Sequence, residues 1–296
     1  MKAGYDPERE SCPLCFSPGL KDHYLIEQWD IPFSTSRCSD CGFIFMNPPL
    51  DDHTIDALYG KEYYSGEADY SYHDERIIEE FARHVWRARV RKLARHAPAG
   101  NFLDVGASFG GLMAAAEEHF TPYGIEKSEF SGRYAGERFP GRVHVGTLED
   151  HPFKPGHFSA ITMIELIEHL KEPPAALETC YDLLKPGGIL LVQTANMEGL
   201  QARLLKEKYA YYMPGHLSYF SARNLEKALE GAGFGRVRFF YPVEFGLAPK
   251  LKKSRGDFTS RADYTRWLRI ALYHLAGKVH TRYRSLTSSM VLYAWK

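Results

Sequence analysis

One stretch constrains the fold of this chain more than any other. Phe102-Leu-Asp-Val105 is a short apolar strand, Gly106-Ala-Ser-Phe-Gly110-Gly111 a glycine-rich turn, and Leu112 to Phe120 a helix. A second strand, Tyr123 to Ile125, ends in Glu126. The alternation continues with strands at Arg142–Val145, Phe158–Ile164 and Gly188–Thr194, the last after the turn Lys185-Pro-Gly-Gly188. Strands that alternate with helices in this way form a parallel sheet covered on both faces. Pro98 and Gly100 mark where this region begins.

A glycine-rich turn after the first strand lets backbone approach a ligand closely, and an acid at the end of the second strand accepts both hydroxyls of a ribose. Glu126 has that place, twenty residues beyond Gly106. Nicotinamide and flavin folds share the pattern, but two residues separate this chain from them. Asp104 lies just before the turn, where it would repel a pyrophosphate, so a cofactor there should be cationic or carry an ammonium. Ser108 replaces the middle glycine that pyrophosphate binding needs.

Four of the five cysteines form two C-x2-C pairs, Cys12/Cys15 and Cys38/Cys41, separated by 22 residues. Such pairs place two sulfurs on one face of a tetrahedron, and two pairs close the shell of a structural zinc. The separation is slightly long for a zinc ribbon and calls for a longer hairpin between the pairs. Two disulfides are the competing reading, which an oxidising compartment would require. No apolar signal segment opens the chain, so the expected setting is the cytoplasm. Cys180 reads as a buried helix residue. Residues 1–46 hold too little apolar material for a core of their own, so zinc would supply stability.

Phe43 to Met46 reads as a strand ended by Pro48 and Pro49. Asp51–Tyr59 and Asp74–His96 read as helices, with a polar, aromatic loop, Tyr63 to Tyr70, between them. The expected organisation is a zinc ribbon over 1–50, a helical linker over 51–98, and a third domain over 99–296.

Lys plus Arg and Asp plus Glu both number 37. Bulk charge therefore favours neither nucleic acid nor a membrane surface. No apolar run is long enough for a membrane span. The charge is uneven: ten Lys or Arg and two acids lie between Lys250 and Arg284, and six basic residues and no acid between Arg83 and Arg95. Solvated helix faces explain such runs, and a patch for an anionic acceptor is the functional alternative.

Residues 101–241 resemble class I S-adenosylmethionine-dependent methyltransferases. The likeness rests on Leu103-Asp-Val-Gly-Ala-Ser-Phe-Gly110, Gly124-Ile-Glu126, Gly146 to Phe153, Glu165-Leu-Ile-Glu-His-Leu170 and Leu184-Lys-Pro-Gly-Gly188. Cys12 to Tyr64 looks like the zinc-ribbon leader of bacterial methyltransferases from sugar, polysaccharide and secondary-metabolite pathways. The resemblance implies an α/β, Rossmann-like seven-stranded sheet with helices on both faces, the ribbon and helical linker preceding it. Its last strand would be an antiparallel edge strand, for which Leu286 to Trp295 is the candidate. The basic segment at about 245–284 lies outside the resemblance and reads as a helical insertion.

The implied cofactor is S-adenosylmethionine, beside structural Zn2+. Asp104, Gly106, Ala107, Ser108 and Gly110 would surround its methionine part and Glu126 its ribose. Thr147 and Leu148 would edge the adenine, and Met163, Ile164 and Glu165 would lie beneath the sulfonium. Lys127 and Tyr64 complete the expected set. On the acceptor side His216, in the segment Met213 to Ser221, is the candidate general base. His169 and Glu165 are further catalytic candidates, although Glu165 and Glu168, at i, i+3 spacing, include one residue that could simply cap a turn. Asn196 could donate to the acceptor, and Tyr63, Tyr64, Tyr211, Tyr212 and Tyr219 could stack on it or merely pack. The expected acceptor is a small molecule, a sugar, nucleotide sugar or polar metabolite, with a phosphate where the basic stretches are used. RNA is the alternative partner. Against it, no Asn/Asp-Pro-Pro-aromatic sequence follows the fourth strand of the α/β region, where Ile164-Glu165-Leu166 stands.

Overall fold

The computed structural model describes residues 3–60, 63 and 74–296. Strands β1 (Leu20–Ile26) and β2 (Phe33–Cys38) form the long hairpin between the cysteine pairs. β3 (Ile44–Met46) runs antiparallel to β2. α1 (Asp52–Leu58) follows, its first turn capped by Asp51, which accepts from the Thr54 N–H. The helix expected from Asp74 begins only at Glu79, where α2 (Glu79–Leu93) starts after a turn.

The α/β layer then forms in the order β4 (Asn101–Val105), α3 (Gly111–Ala116), β5 (Thr121–Glu126), α4 (Glu129–Arg138), β6 (Val143–Val145) and β7 (Phe158–Ile164). Next come α5 (Pro173–Leu183), β8 (Leu184–Ala195), α6 (Leu200–Leu205), β9 (Ser218–Tyr219), α7 (Ala222–Gly231) and β10 (Arg236–Phe240). The expected basic insertion holds α8 (Leu247–Ser254) and α9 (Thr265–Ala276), before β11 (Ser289–Trp295). The large sheet has seven strands in the order β10-β11-β8-β7-β4-β5-β6. β4 to β8 are parallel, and β11 is antiparallel to both neighbours.

Two expectations are corrected here. β11 is not an edge strand: it lies between β8 and β10, buried on both faces, and β10 holds the edge. Apolar residues on both sides of β11, Val291 and Tyr293 against Met290, Leu292 and Ala294, fit this interior place. β8 also begins earlier than Gly188. Leu184 pairs with Phe158 before a register shift at the Pro-Gly-Gly segment, and Ile189 resumes opposite Ala160.

Alternation along each strand sends side chains to two separate layers. Leu103, Ile161, Leu190 and Leu292 pack under α5 and α7 with Leu177, Leu225 and Leu229. Phe102, Ala160, Leu191 and Val291 pack under α2 and α3 with Trp86, Val90, Leu93 and Leu112. α2 and α3 approach so closely that a Cβ on Gly111 would stand 2.2 Å from the Trp86 ring, so glycine is required there.

The hairpin is tied to the α/β layer by more than covalent connection. β9 pairs with β3 and extends the small sheet to four strands. Asn224, in the capping box of α7, donates its amide to the Cys41 carbonyl at 2.7 Å. Phe43 and Phe45 join the core under α7. No described helix is long and apolar enough to cross a membrane.

Candidate active site and cysteine cluster

The four cysteine sulfurs converge, with every pair within 4.8 Å. Cys12 Sγ lies 3.7 Å from Cys41 Sγ, and Cys15 Sγ 3.6 Å from Cys38 Sγ. A disulfide would need about 2.05 Å. The edge of a tetrahedron with Zn–S bonds of about 2.3 Å measures about 3.8 Å, so these two distances match the edges of a four-thiolate zinc shell. The Leu14 N–H points at Cys12 Sγ, 3.4 Å away, as the backbone of a metal-binding knuckle does.

At the top of β4 the chain turns sharply. Gly106 has φ +81°, Ser108 φ +48° and Gly110 φ +78°, all left-handed. The Gly106 and Ala107 N–H groups both donate to the Ile125 carbonyl, which anchors the turn on β5. A left-handed conformation is costly for Ser108, and such residues persist only where the surroundings impose them. Here Glu126 imposes it: one carboxylate oxygen accepts the Ser108 N–H at 2.7 Å and the other the Ser128 N–H at 2.9 Å. A carboxylate offers about four lone-pair sites. The two bonds to Ser108 and Ser128 fix the carboxylate at the end of β5, beside the glycine-rich turn. Ser108 Oγ is buried in the same turn without a hydrogen-bond partner. Asp104 lies beneath it, buried and hydrogen-bonded by Thr162 at 2.6 Å. Burial pushes its carboxyl up to about 7, so a cationic group would be welcome beside it. An orphaned hydroxyl, a fixed acid and a buried acid in one turn fit an adenosine cofactor with a positively charged end.

Of the other expected cofactor residues, Met163 and Leu148 are buried in the core and Ile164 packs toward the α2 side. Thr147 gives both its N–H and its hydroxyl to Asp150. Lys127 is turned to α1, where it pairs with Asp56 at 2.5 Å. Tyr64 lies outside the described residues.

The acceptor-side candidates gather beyond β7 and β8. Glu165 has φ +50°. The residue is exposed, with Oε1 accepting from Gln193 at 2.6 Å. Partial desolvation and the neighbouring Glu168 carboxylate push its carboxyl up. Ile167–His169 forms one 3-10 turn that presents Glu168 and His169. The His169 and His216 rings lie 4.7 Å apart. His216 Nδ1 stands 2.9 Å from the Tyr211 carbonyl. A carbonyl only accepts, so Nδ1 carries the proton and Nε2 the lone pair. Burial first, then the His169 charge, holds the His216 imidazole well below the usual 6.5. Tyr211 donates to Glu168 Oε1 at 2.5 Å, and Tyr59 Oη lies 2.6 Å from His169 Nδ1. Tyr59, Tyr63, His169, Met213, Pro214 and His216 bound a small cavity. Burial raises the Tyr63 hydroxyl pKa, and the Glu168, Glu126 and Glu165 charges add to it.

Asn196 is not available to an acceptor. It is fully buried, its amide donates to the Tyr283 carbonyl, and its carbonyl oxygen accepts from Glu198 and Ala222 N–H groups. Tyr212 and Tyr219 are packed in the core beneath the hairpin.

Sequence reasoning missed Arg89. It was counted among the basic residues of α2, but it is buried and ion-paired with Glu244 at 2.8 Å. Its guanidinium also donates to Gln193 Oε1, which turns the Gln193 amide nitrogen onto Glu165 Oε1 at 2.6 Å. The signal was present in the helical spacing, since Arg89 shares the inward face of Val85, Trp86 and Leu93. Removing one partner of such a pair strands a buried charge, at about 3–5 kcal/mol. Arg89→Ala should lower unfolding stability by that amount in urea titration, and Arg89→Met with Glu244→Leu should recover most of it. Equal stability of wild type and Arg89→Ala would remove the pair from any structural role.

A family model described as a methyltransferase domain matches residues 78–237, more than half of the chain. The chain belongs to this methyltransferase family. Ubiquinone biosynthesis O-methyltransferase of Xylella fastidiosa (strain M23) is 30% identical over 191 residues, 61% of this chain and 63% of that protein. Its counterpart in Xanthomonas campestris pv. campestris (strain B100) is 46% identical over 109 residues, 33% of this chain and 44% of that protein. The methyltransferase chain thus spans under two thirds of the length of these curated relatives. Among solved structures, phosphoethanolamine N-methyltransferase 2 of Haemonchus contortus with S-adenosyl-L-methionine superposes with a TM-score of 0.52 at 17% identity, covering 92% of this chain and 71% of that one. An S-adenosylmethionine-dependent methyltransferase from Archaeoglobus fulgidus gives 0.51 at 16%, covering 74% and 97%. These likenesses establish the fold.

Proposed function

We propose that the chain transfers the methyl group of S-adenosylmethionine to a hydroxyl oxygen of a small molecule. The observation that carries this reading is the turn after β4, where Glu126 holds the left-handed Ser108 and Asp104 is buried against Thr162. The His169 and His216 pair beyond β7 supports an acceptor side. S-adenosylmethionine supplies an electrophilic methyl on a sulfonium. Glu126 would hold the ribose, and Asp104 with the Gly106–Gly110 turn the methionine end. In this reading the acceptor's proton would leave toward the His169 and His216 pair, with the His216 Nε2 lone pair as the base. A hydroxyl acceptor accords with the names of the ubiquinone O-methyltransferase relatives. It also accords with the sugar or polar metabolite expected from the sequence. We place the reaction in the cytoplasm, where a thiolate zinc ribbon is stable.

Release of S-adenosylhomocysteine, measured across a panel of sugars and hydroxylated aromatics, tests the reading. Acceptor-dependent release is expected with a hydroxylated compound. Methylation confined to amines or to RNA would overturn the hydroxyl assignment.

In the same reading Cys12, Cys15, Cys38 and Cys41 hold one structural zinc. Metal analysis of protein purified without added zinc should find one ion per chain. Its removal with a chelator should lower the melting temperature, because zinc affinity is folding energy for so small a unit. A metal-free protein with an unchanged melting temperature would defeat the assignment.

A further inference from the structure

We propose that Glu168, His169 and His216 bind a second metal ion, a divalent first-row cation distinct from the ribbon zinc. Their donor atoms lie within 4.8 Å of one another. Ligands around an ion at about 2.0–2.2 Å stand roughly 3–4 Å apart, so closing the set takes about an ångström of movement. The three side chains come from the 3-10 turn and from the loop before β9, whose meeting is fixed by the Leu217 N–H bond to the Glu168 carbonyl at 2.8 Å.

The surroundings are arranged as they are around metal ligands. Ligating imidazoles give their other nitrogen to a carbonyl or carboxylate, and ligating carboxylates are themselves hydrogen-bonded. His216 Nδ1 donates to the Tyr211 carbonyl, and His169 Nδ1 lies 3.0 Å from the Gly215 carbonyl. The His216 bond leaves its Nε2 with the lone pair, and the His169 Nδ1 is shared between the Gly215 carbonyl and Tyr59 Oη, 2.6 Å away. Glu168 Oε1 takes the Tyr211 hydroxyl, which Thr194 in turn contacts at 2.9 Å. The second, independent observation is Glu168 Oε2. The residue is fully buried, and among the described residues no N–H or hydroxyl donor reaches this oxygen; only the neighbouring Glu165 carboxyl approaches the Glu168 carboxylate. A buried carboxylate oxygen is normally satisfied, and a cation satisfies it. The cavity beside the two imidazoles measures about 20 Å³, the room of one water or ion.

The donor set selects the ion class. Two imidazoles and a carboxylate suit Mn2+, Fe2+, Co2+ or Zn2+, whereas four thiolates keep zinc in the ribbon. Three protein ligands leave positions open for the acceptor. An oxygen bound there would lose its hydroxyl proton more readily, and in the metal-loaded protein His216 would serve as a ligand, its base role belonging to the metal-free form. That role rests on the methyl-transfer reading, but the binding of the ion does not.

Mn2+ is the probe, because its preference for oxygen and nitrogen ligands leaves the ribbon zinc in place. Zinc-loaded full-length protein is titrated with Mn2+, and free ion is followed by electron paramagnetic resonance. One Mn2+ per chain is expected. Glu168→Gln and His169→Gln should each weaken it at least tenfold while the melting temperature and ribbon zinc are retained. No Mn2+ binding, or equal binding by wild type and both variants, overturns the proposal. Calorimetry with S-adenosylmethionine on the same samples separates the two readings: protein that takes the cofactor but no Mn2+ loses only the metal site.

Discussion

His216→Ala should lower turnover by about 10²–10⁴-fold while S-adenosylmethionine affinity stays nearly constant. The imidazole lies in the loop before β9, against the Tyr211 carbonyl and the His169 ring, and among the described residues it makes no hydrogen bond to the Gly106–Gly110 turn or Glu126, so its loss should remove no cofactor contact. The expected pH dependence differs from that of an ordinary histidine. A free imidazole would impose an acid limb at about 6.5. Burial and the neighbouring His169 hold His216 well below that value, so the neutral ring persists through the neutral range. The rate should therefore be flat through 6.5 and fall only at lower pH. Pre-steady-state and steady-state profiles of wild type and variant, measured with the true acceptor, provide the check. Full turnover in the variant would reduce His216 to a residue that fixes its loop through the Tyr211 carbonyl.

Glu126→Ala should weaken S-adenosylmethionine by a comparably large factor. Hydrogen bonds to a charged group are each worth about 1.5–3 kcal/mol, and two ribose hydroxyls are served. Each bond at that strength is about 10–150-fold in affinity. The variant has a second consequence. Glu126 also holds the Ser108 and Ser128 N–H groups, so its removal leaves the left-handed Ser108 unsupported. Calorimetric titration should therefore show a lost affinity accompanied by a modest fall in melting temperature. An unchanged cofactor affinity would place the ribose elsewhere.

Much of this site was readable before any coordinates. β7 is legible residue for residue, because five apolar residues with only Ser159 and Thr162 between them run from a turn to the Glu165 loop. The convergence of Cys12, Cys15, Cys38 and Cys41 is legible because two C-x2-C pairs each bring two sulfurs to one turn. What could not be read is non-local. The pairing of Ser218 and Tyr219 with β3 joins segments more than 170 residues apart, and two residues carry no periodicity. The interior place of β11 depends on which strand finds its flank, not on its own pattern. Asn196 looked available because it follows β8, but only its partners Tyr283, Glu198 and Ala222 reveal that its amide is consumed. Arg89 looked solvated because it lies in a run of charge, and its partner Glu244 is 155 residues away. The pairing of His169 and His216 likewise rests on tertiary contact alone.

The account's central claim is that the Gly106–Gly110 turn and Glu126 form a seat for S-adenosylmethionine rather than for a dinucleotide. Isothermal titration of the zinc-loaded protein with S-adenosylmethionine, and separately with NADH, tests it most directly. The account predicts one saturable S-adenosylmethionine site per chain, weakened in Glu126→Ala, and no measurable heat with NADH. Binding of NADH at this turn, or no binding of S-adenosylmethionine, would contradict it.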